Sequence, residues 1–488
     1  MSSLLFNLPI EILERILHFL SPHLSAFALT NSDCRYLARP LQYRCINIEL
    51  SDDDTNTPHR RHHDAMASLL GDYQRLMAAA SFEIAPYIRY LHLQQGNLSC
   101  GKVPQDDEVY EVFSVRNDLL SLFPALVNLE AFSHGIADGH ILCPTAAYML
   151  ALIRSPAKHV VLDSVLFLPV QVALLESEGV MSWNLERLTI LSHRNVRNLP
   201  NAVPSLLINL CSKSLERLTL DCGNAFDIFS RERIVLPALR TLHLDPKLGN
   251  NLALRYELCR QPALIALRTP LMCAIKFMPT LRRYASNIAS NDDLEQVLDN
   301  LHRNPQLESL SITFEKNFCL NRAFPIVLMN AFRRLRNLRA LRLDGESTGH
   351  LSIQGMSLIA TMSTLRNLQL LIRVNLRSLR KCLRSSSMRR LEWLSVELFF
   401  WTDSFRHIWT RFPDHVVERI RLYDILNEAE LFAAVLPSLR ACIIGSAPIE
   451  ITNGKAQALL VSPCEDYELD ELLDHNLSIV DTHLWRWD

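Results

Sequence analysis

One pentapeptide has the form of a nucleophile motif. Gly345-Glu346-Ser347-Thr348-Gly349 reads G-x-S-x-G, between a strand-like run and a helix-like one. That is the context in which a serine hydrolase exposes its nucleophile on a tight turn. The competing reading is an ordinary repeat turn. Leu341-Arg342-Leu343-Asp344-Gly345 aligns with Leu218-Thr219-Leu220-Asp221 and nearby Gly223, and a turn after each strand accounts for the glycines. The second chemistry-bearing stretch is SDDDTNTPHRRHHD, residues 51–64. His59, His62, His63 and Asp64 have donor types that suit a divalent cation. Three histidines on one polar loop nevertheless lack the surrounding groups that orient metal ligands, so a solvated loop is the favoured reading. No G-x-G-x-x-G, phosphate-binding G-x-x-x-x-G-K or H-E-x-x-H pattern is present. The expectation is a chain with no catalytic residues of its own, no cofactor and no metal.

The bulk properties bound the class. At 488 residues and 49% apolar, the chain can bury a large core in one to three domains. A formal net charge of −2 gives no global electrostatic case for nucleic acid or membrane. Glu11 and Glu14 in place of a basic leader argue against a secretory signal. No apolar run approaches the ~18–20 residues of a membrane span. Twelve cysteines without a C-x-x-C pair read as reduced, mostly buried thiols. These features point to the cytoplasm and/or nucleus.

The elements that would position any site come from a repeated phrase, Leu-x-x-Leu-x-Leu. It runs through Ile88-Leu91-Leu93, Leu185-Leu188-Ile190, Leu215-Leu218-Leu220, Leu239-Leu242-Leu244, Leu307-Leu310-Ile312, Leu338-Leu341-Leu343 and Leu391-Leu394-Val396. Weaker copies include Leu126-Leu129-Phe132, Leu264-Leu267, Leu368-Leu371 and Leu439-Cys442-Ile444. Spacing in the twenties to low thirties is that of a leucine-rich repeat. Alternate residues of a short strand face opposite sides, and a unit that cannot hide its apolar side alone must stack on its neighbours. The predicted fold class is α/β: a solenoid with a curved parallel sheet, and with helices and loops on the convex side. Residues 326–335 and 354–362 read as such helical returns. The stretches 133–180 and 270–306 fit the phrase badly, as irregular repeats or insertions.

Residues at outward strand positions form the candidate target-binding surface, chosen as Arg187, Arg217, His243, Arg342 and Trp393. Arginine with Ser/Thr suits hydrogen bonding and carboxylate pairing. Phe399, Phe400, Trp401, Phe405 and Trp409 cluster after a late repeat and read as local core rather than as interface anchors. Two basic patches, Arg333-Arg334-Arg336-Arg339 and Arg377-Arg380-Lys381-Arg384-Arg389-Arg390, read as solvated convex faces rather than as a nucleic-acid site. After Pro448 the phrase stops. EDYELDELLD, residues 465–474, is acidic, in a segment where a polar capping element is expected.

The N-terminus is different in kind. Pro9 suits a helix first turn, and Leu13, Ile16, Leu17 and Leu20 recur on one helix face. Two shorter helices carry Leu24, Phe27 and Leu29, then Cys34, Tyr36 and Leu37. Three helices in about 35 residues bury little core of their own, so the head needs completion by the next domain or by a partner. Leu8-Pro9-Ile10-Glu11-Ile12-Leu13 with Ile16-Leu17-Leu20, then Phe27-Ala28-Leu29-Thr30-Asn31, Cys34-Arg35-Tyr36-Leu37 and Pro40-Leu41-Gln42-Tyr43-Arg44, resembles an F-box of the fungal type. The resemblance implies that Leu8, Pro9, Ile12, Leu13 and Ile16 dock a Skp-type adaptor and, through it, a cullin. It also implies a substrate-recognition subunit of a Skp–cullin–F-box ubiquitin ligase whose repeats bind an unknown target protein. The competing class is a repeat scaffold outside any ligase. The domain reading is an F-box at 1–50, a polar loop and linking helix at 51–80, repeats at 81–447, and a C-terminal cap with an acidic tail at 448–488.

Overall fold

The computed structural model describes residues 28–30, 34, 36–39, 43–50, 84–95, 102–105, 108–114, 123–136, 141–163, 169–179, 182–191, 202–221, 235–244, 261–269, 278–314, 326–345, 351–372, 374–384, 388–396, 425–444 and 447–458. The chain divides into two units, Met1–Leu239 and Arg240–Asp488.

The first unit contains strands β1 (Cys45–Leu50), β2 (Tyr90–Gln95), β3 (Lys102–Gln105), β4 (Glu108–Ser114), β5 (Ala131–Ile136), β6 (Ile141–Cys143), β7 (His159–Leu162), β8 (Arg187–Leu191) and β9 (Arg217–Asp221). β1, β2, β5, β7, β8 and β9 pair in parallel in that order. β3, β4 and β6 make a small separate sheet. The register aligns the apolar side chains. Ile46, Leu91, Phe132, Val160, Leu188 and Leu218 form one column across the ladder. Where burial is described, the strand residues of this column are buried from Leu91 onward. Helices α1 (Ala146–Arg154), α2 (Pro169–Ser177) and α3 (Ala202–Leu210) return the chain between strands and pack side by side. Thr145 starts α1, its hydroxyl accepting from the Tyr148 amide at 3.2 Å.

The second unit repeats the plan with β10 (Thr241–Leu244), β11 (Ala266–Thr269), β12 (Arg283–Ile288), β13 (Ser309–Phe314), β14 (Ala340–Asp344), β15 (Asn367–Leu371), β16 (Trp393–Val396) and β17 (Ala441–Ile444), all parallel. Its column reads Leu242, Leu267, Tyr284, Leu310, Leu341, Leu368, Leu394, Cys442, every member buried. The returns include α4 (Asn291–Arg303), α5 (Ile326–Arg334), α6 (Ile353–Ile359) and α7 (Leu376–Arg384), with residues 425–433 also helical.

Local chemistry explains where these helices begin and end. Ser290 accepts from the Asp293 amide at 3.2 Å, while the Asp293 carboxylate accepts from the Ala289 amide at 3.1 Å. At the other end of α4, the buried Asn304 amide donates to the Asn300 carbonyl, and its oxygen accepts from the Met278 amide of the preceding repeat. Gly355 sits close against its neighbour: a Cβ there would lie 2.8 Å from a Leu351 methyl, which would have to shift.

The ladder ends in an antiparallel hairpin, β18 (Ala447–Thr452) and β19 (Lys455–Ala458), laid against β17. Asn453 and Gly454 form its turn at φ of 54° and 76°, the left-handed pair that an Asn-Gly hairpin requires. The hairpin covers the last parallel edge, which would otherwise offer unpaired backbone groups.

Two open stretches of the sequence are decided and one reading changes. Residues 133–180 hold β7 and its helices, and residues 270–306 hold β12 and α4, so both stretches are repeats. Their leucines are replaced by Ala157, Val160, Tyr284 and Ser286, which hid the phrase. Residues 45–50, grouped by sequence with the helical head, are the first strand of the ladder. Of that head, residue 28 and residues 34 and 36–39 are helical where described. Ala38 is buried, and Leu29 and Tyr36 are exposed.

Candidate protein-binding face

The pleat that buries the leucine columns turns the intervening residues to the opposite side of each sheet. In the first unit, register places Tyr90, Ala131, His159, Arg187 and Arg217 in one row there. Arg187 and Arg217 are direct neighbours on adjacent strands, about 4.8 Å apart along the ladder. His159 flanks Arg187. The next row on the same face is His92, Ser133, Val161, Thr189, Thr219.

A charged fringe runs just before the strands. Arg89 pairs with Glu130 at 3.0 Å, and the Tyr90 hydroxyl donates to the other Glu130 oxygen at 3.0 Å. The Arg44 guanidinium lies over the Tyr90 ring, 5.6 Å from its centre. Lys158 donates to Glu186 at 2.7 Å, and His159 Nε2 stands 3.9 Å from the other Glu186 oxygen. That hydrogen bond raises the Lys158 pKa and lowers that of Glu186. Partial burial, and then the Arg187 charge, lower the His159 pKa.

Like charges directly opposite on neighbouring strands repel. Register nevertheless sets Arg187 and Arg217 side by side, two guanidiniums of the kind that pair with carboxylates. Ser133, Thr189 and Thr219 in the next row add hydroxyl donors and acceptors.

The five residues singled out as target-binding have different fates. Arg187 is exposed and Arg217 half-buried, side by side. His243 and Arg342 share one row of the second unit, four strands apart, with Arg268, Ala285 and Ser311 between them. They do not form one compact site. Burial, with Arg268 as a smaller cause, pushes the His243 pKa down to about 4. Arg342 is held by Asp344 on its own strand at 3.5 Å.

Trp393 requires a correction. It occupies an outward register position yet is only 7% exposed, and Ser309, Asn367 and Ser395 on the same side are also buried. Its row holds mainly small or short side chains, Ser309, Ala340, Asn367 and Ala441. Pleat direction predicts the side of the sheet but not access to water.

His159 on the outward face of the first unit, and Arg268 and Arg283 on that of the second, were missed. The weak copy at Leu264-Leu267 could have revealed Arg268. β7 and β12 lack the leucines that would have flagged His159 and Arg283.

Leu8, Pro9, Ile12, Leu13 and Ile16 lie outside the described residues, as do His59, His62, His63, Asp64, Ser347 and the aromatic cluster at 399–409. Gly345, at the start of the G-x-S-x-G pentapeptide, extends the ladder by donating its amide to the Leu371 carbonyl at 3.0 Å. Among the described residues, no group of three His, Cys, Asp or Glu side chains could hold a metal ion, and no helix is long and apolar enough to cross a membrane.

Parallel strands entered by buried leucines, stacked in register and returned through helices, define the arrangement of a leucine-rich-repeat array. Neither the protein-family models nor the curated proteins contain a match to the chain. Among solved structures it is similar to a leucine-rich-repeat protein of Leptospira interrogans, at 14% identity and a TM-score of 0.27, over 83% of this chain and 97% of that one. The repeat assignment rests on the register and burial above, not on that likeness.

Proposed function

We propose that this chain is a non-catalytic receptor that binds a target protein on the repeat face of its first unit, with the N-terminal head serving as the attachment to a Skp-type adaptor of a ubiquitin ligase. The observation that carries the target-binding half is the adjacent, outward pair Arg187 and Arg217. The other half is supported by the ordered F-box-like set from Leu8 to Arg44. Chemistry would then reside in other subunits, and the receptor's contribution is effective concentration of target near the transferring enzyme. A repeat scaffold acting outside a ligase shares the first half and lacks the second.

Co-purification with the adaptor separates the two. The wild type retains the adaptor, and Leu8→Ala/Pro9→Ala loses it while keeping the repeat fold. Equal retention by both forms, or by neither, leaves the scaffold as the better reading. Independently, Arg187→Glu/Arg217→Glu releases captured target proteins without affecting adaptor retention. Unchanged capture removes the assignment of this face.

A further inference from the structure

α7 carries an uncompensated positive surface. Arg377, Lys381 and Arg384 on the helix, with Arg389 and Arg390 in the turn beyond, are all exposed. None has an ion-pair partner among the described residues, whereas the neighbouring Arg380 is paired with Glu428. The helix dipole accounts for Arg384 in the last turn. It opposes Arg377 in the first turn, where a cation meets the positive helix end. Beside α7 packs the uncharged α6, with Ile353 exposed at 64%. A surface of this kind, cationic with an apolar edge, is complementary to an acidic amphipathic segment.

The chain contains such a segment. Residues 459–488 carry eight acidic side chains against one arginine, six of the eight within 465–474. Leu469, Leu472, Leu473 and Leu477 recur at the spacing of one helix face. The segment also starts close by. The β19 backbone reaches the helix at residues 425–433, where the Ala456 amide donates to Glu430 at 3.5 Å. Glu428 of that helix is the partner of Arg380 on α7. The path from Ala458 to α7 thus crosses about one helix, roughly 10 Å, and residues 459–464 extended span roughly 20 Å.

We propose that the acidic segment 465–474 docks on the basic face of α7 and masks it. Tethering makes the contact intramolecular, at an effective concentration in the millimolar range. Because it is electrostatic and exposed, it weakens with salt.

The test is zero-length carbodiimide cross-linking of the full chain, which joins a lysine amine to a carboxylate in contact with it. Lys381 is the reporter, and Lys455 on β19 is the control for carboxylate activation. The expected product is a monomeric chain with Lys381 joined to a carboxylate of 465–474, its yield falling several-fold in 1 M salt, where the Debye length is about 3 Å. Arg377→Glu/Arg384→Glu, which keeps Lys381, should reduce it likewise. So should Asp470→Asn/Glu471→Gln/Asp474→Asn, which leaves the helix untouched and keeps Glu465, Asp466 and Glu468 available. The proposal is overturned if Lys381 remains unjoined while Lys455 reacts, or if the yield ignores both charge variants. Cross-links found only between isotopically distinct copies overturn it in favour of a second chain. Heparin or anionic-vesicle binding that is equal in the wild type and the tail variant shows an unmasked face and also overturns it.

Discussion

His134 stands where the repeat calls for an aliphatic residue, in register with Leu93 and Leu162 and fully buried. It shares a 2.7 Å hydrogen bond with the Tyr148 hydroxyl, and its Nε2 has no hydrogen-bond partner among the described residues. Burial first, and then His92, push its pKa down to about 3. The folded chain therefore keeps this imidazole neutral, while the unfolded chain protonates it near 6.5. Below that value the unfolded state binds the extra proton, so stability falls as pH drops from about 6.5 toward 3. The slope reaches about 1.4 kcal/mol per pH unit for one such group. His243, at about 4, acts in the same direction. Urea unfolding at pH 7 and pH 5 should show a large loss for the wild type and a smaller one for His134→Leu. Parallel losses would mean that His134 is not the group responsible. The Arg187/Arg217 pair makes a second prediction at this scale: target capture by the wild type declines steeply with salt, and Arg187→Lys/Arg217→Lys, which keeps the charge but loses the fork, recovers only part of it.

At the scale of elements, neighbouring repeats are joined by more than leucine contacts. Asn304 ends α4 and also receives the Met278 amide from the repeat before it. Asn304→Ala leaves a buried amide without its acceptor, at a cost of about 1–3 kcal/mol in chemical denaturation. Asn304→Asp keeps the acceptor for Met278 and should cost less if that bond dominates. The terminal hairpin depends on its turn. Gly454 sits at φ 76° with open space around it, so Gly454→Val is strained by backbone conformation alone. The expected result is roughly 1–2 kcal/mol lost and an earlier onset of aggregation by light scattering as the β17 edge frays.

For the whole molecule, the governing fact is that each interior strand of a ladder is stabilised by its two neighbours. Leu310 is fully buried in the middle of its column. Leu310→Ala should cost about 2–5 kcal/mol. Hydrogen exchange should rise across β12, β13 and β14 while β5, β7 and β8 stay protected, as nearest-neighbour coupling in a repeat array requires. Uniform loss of protection throughout the chain would mean that the repeats melt as one block.

The strand period and the leucine phrase together were enough to place most repeats, because a two-residue alternation is a local property of backbone geometry. The helical returns at α5 and α6 were legible through side-chain periodicity, another local property. β7 and β12 were not, since Val160 and Tyr284 fill the leucine column only once neighbouring strands supply its walls. Arg187 and Arg217 are thirty residues apart in the chain and become neighbours through stacking alone. Trp393 followed the alternation correctly in direction, yet its burial is set by what surrounds it. Facing is a property of one strand and can be read from it; adjacency and solvent access belong to the assembled sheet, whose contacts are made between residues that no short window of sequence contains.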